Sequence, residues 1–139
     1  MEGRIELIVV PVEDVGRAKE FYVDKCGFHL LVDHAPNEHF RVVQCLPIGS
    51  DCAIAFGNGF DTTNPPGSVQ GLHIVVSDIV AARDELIAGG VDVEPIFNIT
   101  REGERGDGPH AERADYSSFA QFRDPDGNGW LLQERGFAG

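Results

Sequence analysis

The sequence predicts an α+β domain that consists of two tandem βαβββ modules. A β-rich segment, an amphipathic helix and three further strand-like segments occur in this order twice along the 139 residues. Two pairs of matching residues, Asp14 with Asp78 and Ala18 with Ala82, have the same spacing along the chain. Self-similarity at a fixed distance indicates a duplicated structural unit. The length suits one domain, which spans residues 1–139.

Module one, residues 1–57, begins with a β-rich segment at 5–12 that leads into an amphipathic helix. The apolar positions of this helix recur with a period of about 3.6 and are Val15, Ala18, Phe21, Tyr22 and Cys26. The carboxylate of Asp14 is placed to accept from free N–H groups at the helix start, and Gly27 is placed to end the helix. Three strand-like segments follow at 28–33, 40–48 and 52–57, with a turn at Gly49–Asp51.

Module two, residues 70–139, repeats this plan. A strand at 72–77 leads to a helix that Asp78 caps, with the buried positions Ile79, Ala82 and Leu86. Gly89 and Gly90 end that helix. Strand patterns follow at 91–97, 117–124 and 130–134, and the PDGNG segment joins the last two as a turn.

Two polar segments interrupt the repeat. Residues 58–69 are predicted to link the modules. Residues 98–115 form a long polar segment without periodicity, and a loop of that length is either a solvated loop or a functional lid.

Composition excludes several classes of partner. The net charge of −12 is offset by no basic cluster, so we expect neither a nucleic acid nor an anionic membrane as a partner. No apolar run approaches the ~20 residues that span a bilayer, and the N-terminus does not resemble a secretory signal, so we expect a cytoplasmic protein.

Three cysteines without a CxxC pair are expected to be reduced, with Cys26 and Cys45 as small core residues.

Three segments carry a family resemblance: VEDVGRAKEFYVDKCGF, GLHIVVSDIVAARDELIAGGVDV and, above all, SSFAQFRDPDGNGWLLQE. With the duplicated plan, the chain resembles the glyoxalase/bleomycin resistance protein/extradiol dioxygenase (vicinal oxygen chelate) superfamily. This resemblance implies two curved sheets that form an open, mixed barrel around a cavity for a small organic ligand. It also implies a homodimer, while the activity stays open because the fold hosts many functions.

The resemblance further implies four inward-facing positions at which metalloenzymes of the superfamily carry ligands. Here they fall on Leu7, Ala55, His73 and Leu131. Only His73 can bind a metal, whereas a catalytic site generally needs about three protein ligands. We therefore expect no complete metal site and no cofactor. A divalent metal on His73, Glu6 and Gln133 is a disfavoured alternative, since it requires a β-bulge.

The expected function is the binding of an organic metabolite or antibiotic-like ligand in the barrel cleft. The candidate ligand-binding residues are His73, Gln133, Arg41, Phe119, Tyr116, Leu7, Ala55 and Leu131. Three candidates have a second interpretation: His73 as a strand histidine with a polar neighbour, Gln133 as a water-facing strand end, and Arg41 in a surface ion pair. Trp130 is predicted to pack against a helix or to form a subunit contact. The alternative function is a lyase, isomerase or dioxygenase that uses His73 as acid/base or holds an atypical divalent metal, so whether the protein is an enzyme stays open.

Overall fold

The structure, a computed structural model, describes residues 1–60 and 63–139. Residues 61 and 62 of the predicted linker lie outside the described residues. The chain forms two compact units. Unit one comprises Met1–Val69 and Asp124–Asn128, and unit two comprises Gln70–Arg123 and Gly129–Gly139.

Unit one contains a mixed four-stranded sheet. Its strands are β1 (Leu7–Val9), β2 (His29–Asn37), β3 (Phe40–Leu46) and β4 (Ala53–Asn58). They lie in the order β1-β4-β3-β2, with β1 parallel to β4 and the other neighbours antiparallel. β2 is longer than the predicted 28–33 segment.

The helix of unit one begins where the sequence predicts it. α1 (Val15–Lys19) is preceded by Asp14, whose side chain accepts from the backbone N–H of Arg17 at 3.0 Å. From Glu20 to Lys25 the helix widens into a π-helix. Tyr22 on this stretch is fully buried, and its ring centroid lies 5.6 Å from that of Phe56 on β4. The helix thus covers the β4 face that carries Phe56.

Both predicted core thiols lie in unit one. Cys45 on β3 is fully buried, and burial raises the pKa of its thiol to about 12. Burial is also the main cause that raises the pKa of Cys26 to about 12, followed by the nearby Cys45. Neither thiol is therefore suited to act as a nucleophile at neutral pH.

Residues 124–128, which include most of the predicted PDGNG turn at 125–129, belong to unit one and are held there by hydrogen bonds. The Tyr22 hydroxyl donates to Asp124 Oδ2 at 2.7 Å, and the backbone N–H groups of Asp126 and Asn128 donate to Asp124 Oδ1 at 2.9 Å each. Asn128 Nδ2 donates to the carbonyl of Pro11 at 2.8 Å. The turn is consequently part of the buried polar structure of this unit.

Unit two contains a mixed five-stranded sheet and one ten-residue helix, α2 (Ile79–Ala88). Its strands are β5 (Leu72–Val76), β6 (Phe97–Ile99), β7 (Arg105–Asp107), β8 (Ser118–Arg123) and β9 (Gly129–Glu134). They lie in the order β5-β9-β8-β6-β7, with β5 parallel to β9 and the other neighbours antiparallel. Asp78 caps α2 as predicted, by accepting from the N–H of Ala81 at 3.1 Å. In the described residues no helix has the length and apolar character needed to cross a membrane.

The two mixed sheets and their helices confirm the predicted α+β class with two modules, but two predictions for module two are wrong. The 91–97 strand is reduced to a single bridge between Val93 and Phe122, and β6 begins only at Phe97. Pro95 lacks a backbone donor, and Arg83 binds the carbonyls of Val93 and Glu94, which leaves few groups for strand pairing.

The 98–115 segment is also more ordered than an aperiodic loop. It contains the end of β6 and all of β7, which pair as a hairpin. The turn of this hairpin is closed by the N–H of Gly103, which donates to the carbonyl of Thr100 at 2.8 Å. Strands of three residues are too short to show an alternation in the sequence.

Candidate functional site

The sheet of unit two has one face covered by α2 and one face opposite to it. Glu134 on β9 points to the helix side, because its Oε2 accepts from the N–H of Ile79 at 2.8 Å. Side chains alternate along a strand, so Trp130 and Leu132 share that side and Leu131 and Gln133 point the other way. Trp130 is 4% exposed and stacks on Phe122 at 6.0 Å, which agrees with the helix-side packing predicted for it.

Strand register identifies the other members of the face opposite α2. Its central residues are His73, Val75, Phe97, Phe119, Gln121, Leu131 and Gln133, and we name this set the open face. One row of neighbouring Cα partners crosses the five strands, from Val75 through Gln133, Phe119 and Phe97 to Asp107. Of these, Val75 is 52% exposed even though its side chain is apolar. The open face therefore exposes hydrocarbon at Val75, while Phe97, Phe119 and Leu131 on it are half-buried.

An aromatic stack occupies the β6–β8 side of the open face. The rings of Phe97 and Phe119 are stacked, with centroids 5.4 Å apart and planes 20° apart. The guanidinium carbon of Arg105 on β7 lies 3.8 Å from the Phe97 centroid. Because β6 lies between β7 and β8, Arg105 and Phe119 approach Phe97 from opposite sides.

A polar group adjoins this stack. Gln133, the Cα partner of Phe119, donates from Nε2 to the carbonyl of Tyr116 at 3.2 Å. Tyr116 is in the left-handed region with a φ of 64°, and its N–H donates to the carbonyl of Glu134 at 2.7 Å. Within the described chain the side-chain carbonyl of Gln133 has no partner, so it is available as an acceptor. Three predicted residues, Phe119, Tyr116 and Gln133, are thus brought together.

His73 lies at the β5 edge of the open face and is exposed. Its Cα partner is Leu131, which is a hydrocarbon neighbour. His73 Nδ1 is 2.7 Å from the carbonyl oxygen of Gly71. A carbonyl can only accept, so Nδ1 is the donor in this contact and Nε2 is the ring nitrogen that faces away from it. The polar neighbour that the second interpretation of His73 required is therefore this backbone carbonyl.

The unit-one candidates lie on two different faces of their own sheet. The register pairs Leu7 with Ala53 and Val9 with Ala55, so Leu7 and Ala55 share the face opposite the Phe56 side. Ala55 pairs with Gln44, three residues after Arg41, and this odd separation places Arg41 on the other face. There Arg41 binds Asp33 through Nε and Nη2, each at 3.0 Å. The structure thus places Arg41 in the surface ion pair that was its second interpretation.

The four positions implied for metal ligands hold one imidazole and three hydrocarbon side chains. His73 and Leu131 are paired in the sheet of unit two, and Leu7 and Ala55 share one face in unit one. Over residues 1–60 and 63–139, no three His, Cys, Asp or Glu side chains are grouped so as to hold a metal ion. The residues at these positions do not fit a catalytic divalent ion, which needs about three protein donors.

A charged network behind the open face was not foreseen from the sequence. Arg113 donates to both oxygens of the fully buried Glu134, at 2.8 Å and 2.6 Å, and contacts Asp78 Oδ1 at 3.3 Å. The guanidinium hydrogen bonds lower the pKa of Glu134. Glu134 directly follows Gln133, so this network fixes the end of β9 that carries the Gln133 amide.

Phe97 and Arg105 are the site residues that sequence reasoning missed. Phe97 ends the predicted 91–97 strand, but its face depends on a pairing with β8 that was not predicted. Arg105 lies in the segment read as an aperiodic loop. No sequence signal suggested a strand there, because three residues are too short to show an alternation.

Comparisons with known proteins agree with this architecture. Residues 4–132 match the family profile described as Glyoxalase/Bleomycin resistance protein/Dioxygenase superfamily. The crystal structure of TnmS3, an antibiotic binding protein from Streptomyces sp. CB03234, is similar at 34% identity over 96% of both chains, with a TM-score of 0.72. A glyoxalase/bleomycin resistance protein from the same organism is 35% identical over 94% of this chain and 99% of its own, with a TM-score of 0.70. The uncharacterized protein YetH of Bacillus subtilis (strain 168) is 26% identical over 96% of this chain and its full length.

Proposed function

Because the chain belongs to the Glyoxalase/Bleomycin resistance protein/Dioxygenase superfamily, we propose that it binds a small organic molecule, either a metabolite or an antibiotic-like compound. The open face of unit two is the proposed binding surface, and no complete metal site takes part. One observation carries this proposal: a stacked pair, Phe97 and Phe119, lies beside a free amide acceptor on Gln133. Apolar surface with a few placed polar groups is the usual composition of a ligand site.

The energetics favour a ligand with an aromatic or otherwise flat apolar part. Removing about 100 Å² of apolar surface from water contributes roughly 2.5 kcal/mol. A ring placed against Phe119 adds about 0.5–1.5 kcal/mol from aromatic contact. The Gln133 carbonyl then supplies orientation, since an N–H or O–H donor of the ligand must reach it.

Two similar proteins support this proposal. TnmS3 is described as an antibiotic binding protein, and a second protein of the same organism as a glyoxalase/bleomycin resistance protein. Both exceed 30% identity over nearly the whole chain. The ligand of this chain is a separate question, because the shared fold hosts many functions and specificity depends on individual side chains.

Thermal unfolding with a panel of aromatic natural products and antibiotics tests the proposal. We expect at least one compound to raise the Tm of the wild-type protein, and Phe119→Ala to reduce that shift strongly. The matched control is Ile87→Ala, which truncates a 44% exposed apolar residue on α2, away from the open face. A panel without any shift, or a shift that Phe119→Ala leaves intact, would show that the open face is not the ligand site.

A second candidate function is acid/base catalysis by His73, as in a lyase or isomerase. The observation that favours it is the contact between Nδ1 and the Gly71 carbonyl, which orients the ring and leaves Nε2 available for proton transfer. His73→Gln would then abolish turnover and weaken ligand binding much less than Phe119→Ala does. A third candidate is a dioxygenase or a metal-dependent lyase. Elemental analysis of the purified protein distinguishes it from the other two, because it requires stoichiometric Zn, Ni, Mn or Fe.

We also propose that the protein is a cytoplasmic homodimer. The family resemblance supports the dimer, and several apolar side chains, including Val9 and Leu31, are at least a third exposed. Sedimentation equilibrium is the direct test. A single species with the mass of one chain at micromolar concentration would contradict the dimer.

A further inference from the structure

We propose that Arg105 makes the open face select aromatic ligands that carry a negatively charged group. The inference rests on the proposed binding function and specifies its ligand class. Its basis is the position of a guanidinium at the outer end of the Phe97–Phe119 stack.

Arg105 is held in place without using its hydrogen-bond donors. Its guanidinium carbon lies 3.8 Å from the Phe97 centroid, so the cation–π contact restrains the side chain. The residue is exposed. In the described part of the chain, Arg105 has neither an ion pair nor a side-chain hydrogen bond. Its five N–H donors are therefore free to bind a carboxylate, sulfonate or phenolate.

Two other arginines of this protein show how a guanidinium binds an acidic side chain here. Arg41 binds Asp33 and Arg113 binds Glu134, in both cases through two nitrogens. Arg105 instead stacks on Phe97, and no carboxylate of the described residues forms an ion pair with it. The unpaired donors of Arg105 point to a partner that is not part of unit two.

The negative charge of the neighbouring Asp107 should weaken the binding of an anion, and this effect can be tested. Asp107 is the Cα partner of Phe97 and lies on the same face, two residues from Arg105. Its carboxylate opposes an anion, and the overall negative charge opposes it further. Arg105 therefore has to provide the local attraction, and removal of the Asp107 charge should strengthen anion binding.

A simpler role for Arg105 would be to shield Phe97 from water with its alkyl chain. This role does not depend on charge, and Arg105→Met preserves most of it, since methionine keeps a long apolar side chain. Arg105→Lys preserves the charge but loses the planar fork that matches a carboxylate or sulfonate. The two substitutions together separate packing from charge.

Two fluorescent probes that differ in one group provide the test. Anilinonaphthalenesulfonate is an anion, and anilinonaphthalene is its neutral counterpart without the sulfonate. Both probes are titrated into the intact wild-type protein and into Arg105→Met, Arg105→Lys, Asp107→Asn and Phe119→Ala. Arg101→Met is the matched control, because Arg101 is an exposed arginine in the turn of the same hairpin. Near-UV circular dichroism checks that every variant keeps native packing.

We expect Arg105→Met to weaken the anionic probe about tenfold, which corresponds to about 1.4 kcal/mol. The neutral probe should change less than about twofold, which is below 0.5 kcal/mol. Arg105→Lys should fall between wild type and Arg105→Met, Asp107→Asn should tighten the anionic probe, and Arg101→Met should change neither probe.

Equal effects of Arg105→Met on both probes, or no effect on either, would overturn the role of Arg105 and leave the proposed binding function standing. If neither probe binds the wild-type protein, or if Phe119→Ala changes neither, the proposed binding function itself fails. The two failures are thus distinguishable.

Discussion

Arg113 binds both carboxylate oxygens of Glu134, from Nε to Oε1 at 2.8 Å and from Nη2 to Oε2 at 2.6 Å. Glu134 is fully buried, and its Oε2 also accepts from the N–H of Ile79 at the start of α2. Arg113 adopts a φ of 52°, a conformation that costs a non-glycine residue free energy. The contact therefore ties three parts of unit two together: the loop before β8, the end of β9 and the first turn of α2.

Removing the guanidinium should destabilise the protein more than any surface substitution. Arg113→Met leaves a buried carboxylate without its cation, and breaking such a pair typically costs about 3–5 kcal/mol. Urea unfolding measures the loss. Arg135→Met is the control, because the Arg135 guanidinium only lies 5.7 Å from the exposed Tyr116 ring and its removal should stay within about 0.5 kcal/mol. Similar losses in the two variants would contradict the role assigned to Arg113.

The same pair predicts a dependence of stability on pH. Hydrogen bonds from Arg113 lower the pKa of Glu134 in the folded protein below its value in the unfolded chain, which is about 4.3. The unfolded state therefore binds the proton more readily, so the stabilisation is complete above about pH 5 and declines as the pH falls. Glu134→Gln lacks this contribution. The difference in unfolding free energy between wild type and Glu134→Gln should shrink as the pH is lowered from about 7 to about 3. A constant difference over that range would be the opposite result.

Asp33 provides a contrast, because its ion pairs lie at the surface of unit one. It accepts from Lys19 at 2.8 Å and from Arg41 at 3.0 Å, and these hydrogen bonds hold its pKa well below the usual range. Solvent screening limits the stabilisation, so Asp33→Asn should cost about 1 kcal/mol or less. The loss should diminish in about 1 M salt, where the Debye length is about 3 Å. Urea unfolding at low and high salt checks both statements, and a salt-independent loss above about 3 kcal/mol would indicate a buried pair instead.

The elements that the sequence predicted correctly depend on residues that are close together in the chain. Asp14 and Asp78 each cap a helix through their own side chains, and the 124–128 turn follows from Pro, Asp, Gly and Asn within five residues. None of these inferences needed knowledge of a distant partner.

The features that were missed depend on distant partners. Arg83 removes the carbonyls of Val93 and Glu94 from strand pairing, and nothing near those residues shows it. The stack of Arg105 on Phe97 requires a three-residue strand that has no detectable period. These contacts join residues that are far apart in the sequence or lie on different strands, so they are determined only when the sheet has formed.

The hydroxyl of Tyr22 should make a measurable contribution to stability. It donates to Asp124 Oδ2 at 2.7 Å in a buried position, and hydrogen bonds to charged groups contribute about 1.5–3 kcal/mol. Tyr22→Phe is therefore expected to lower the unfolding free energy by about 2 kcal/mol. Tyr116→Phe is the matched control, since Tyr116 is 51% exposed and its hydroxyl has no partner in the described residues. Equal losses from the two Tyr→Phe substitutions would show that the Asp124 contact contributes nothing.

The turn at 124–128 depends on the backbone conformation of Gly127 and not on space around it. Gly127 has a φ of 99°, and a Cβ built there would meet no atom within 4 Å. Gly127→Ala should therefore destabilise the protein by about 1–2 kcal/mol through backbone strain alone. Gly16→Ala should act in the opposite direction, because Gly16 lies inside α1 and its added Cβ would make an ordinary 3.5 Å contact with Asp14 Oδ1. Alanine is favoured over glycine in a helix by about 1 kcal/mol, so urea unfolding should show a gain for Gly16→Ala and a loss for Gly127→Ala. Two changes of the same sign would mean that strain at Gly127 does not govern the turn.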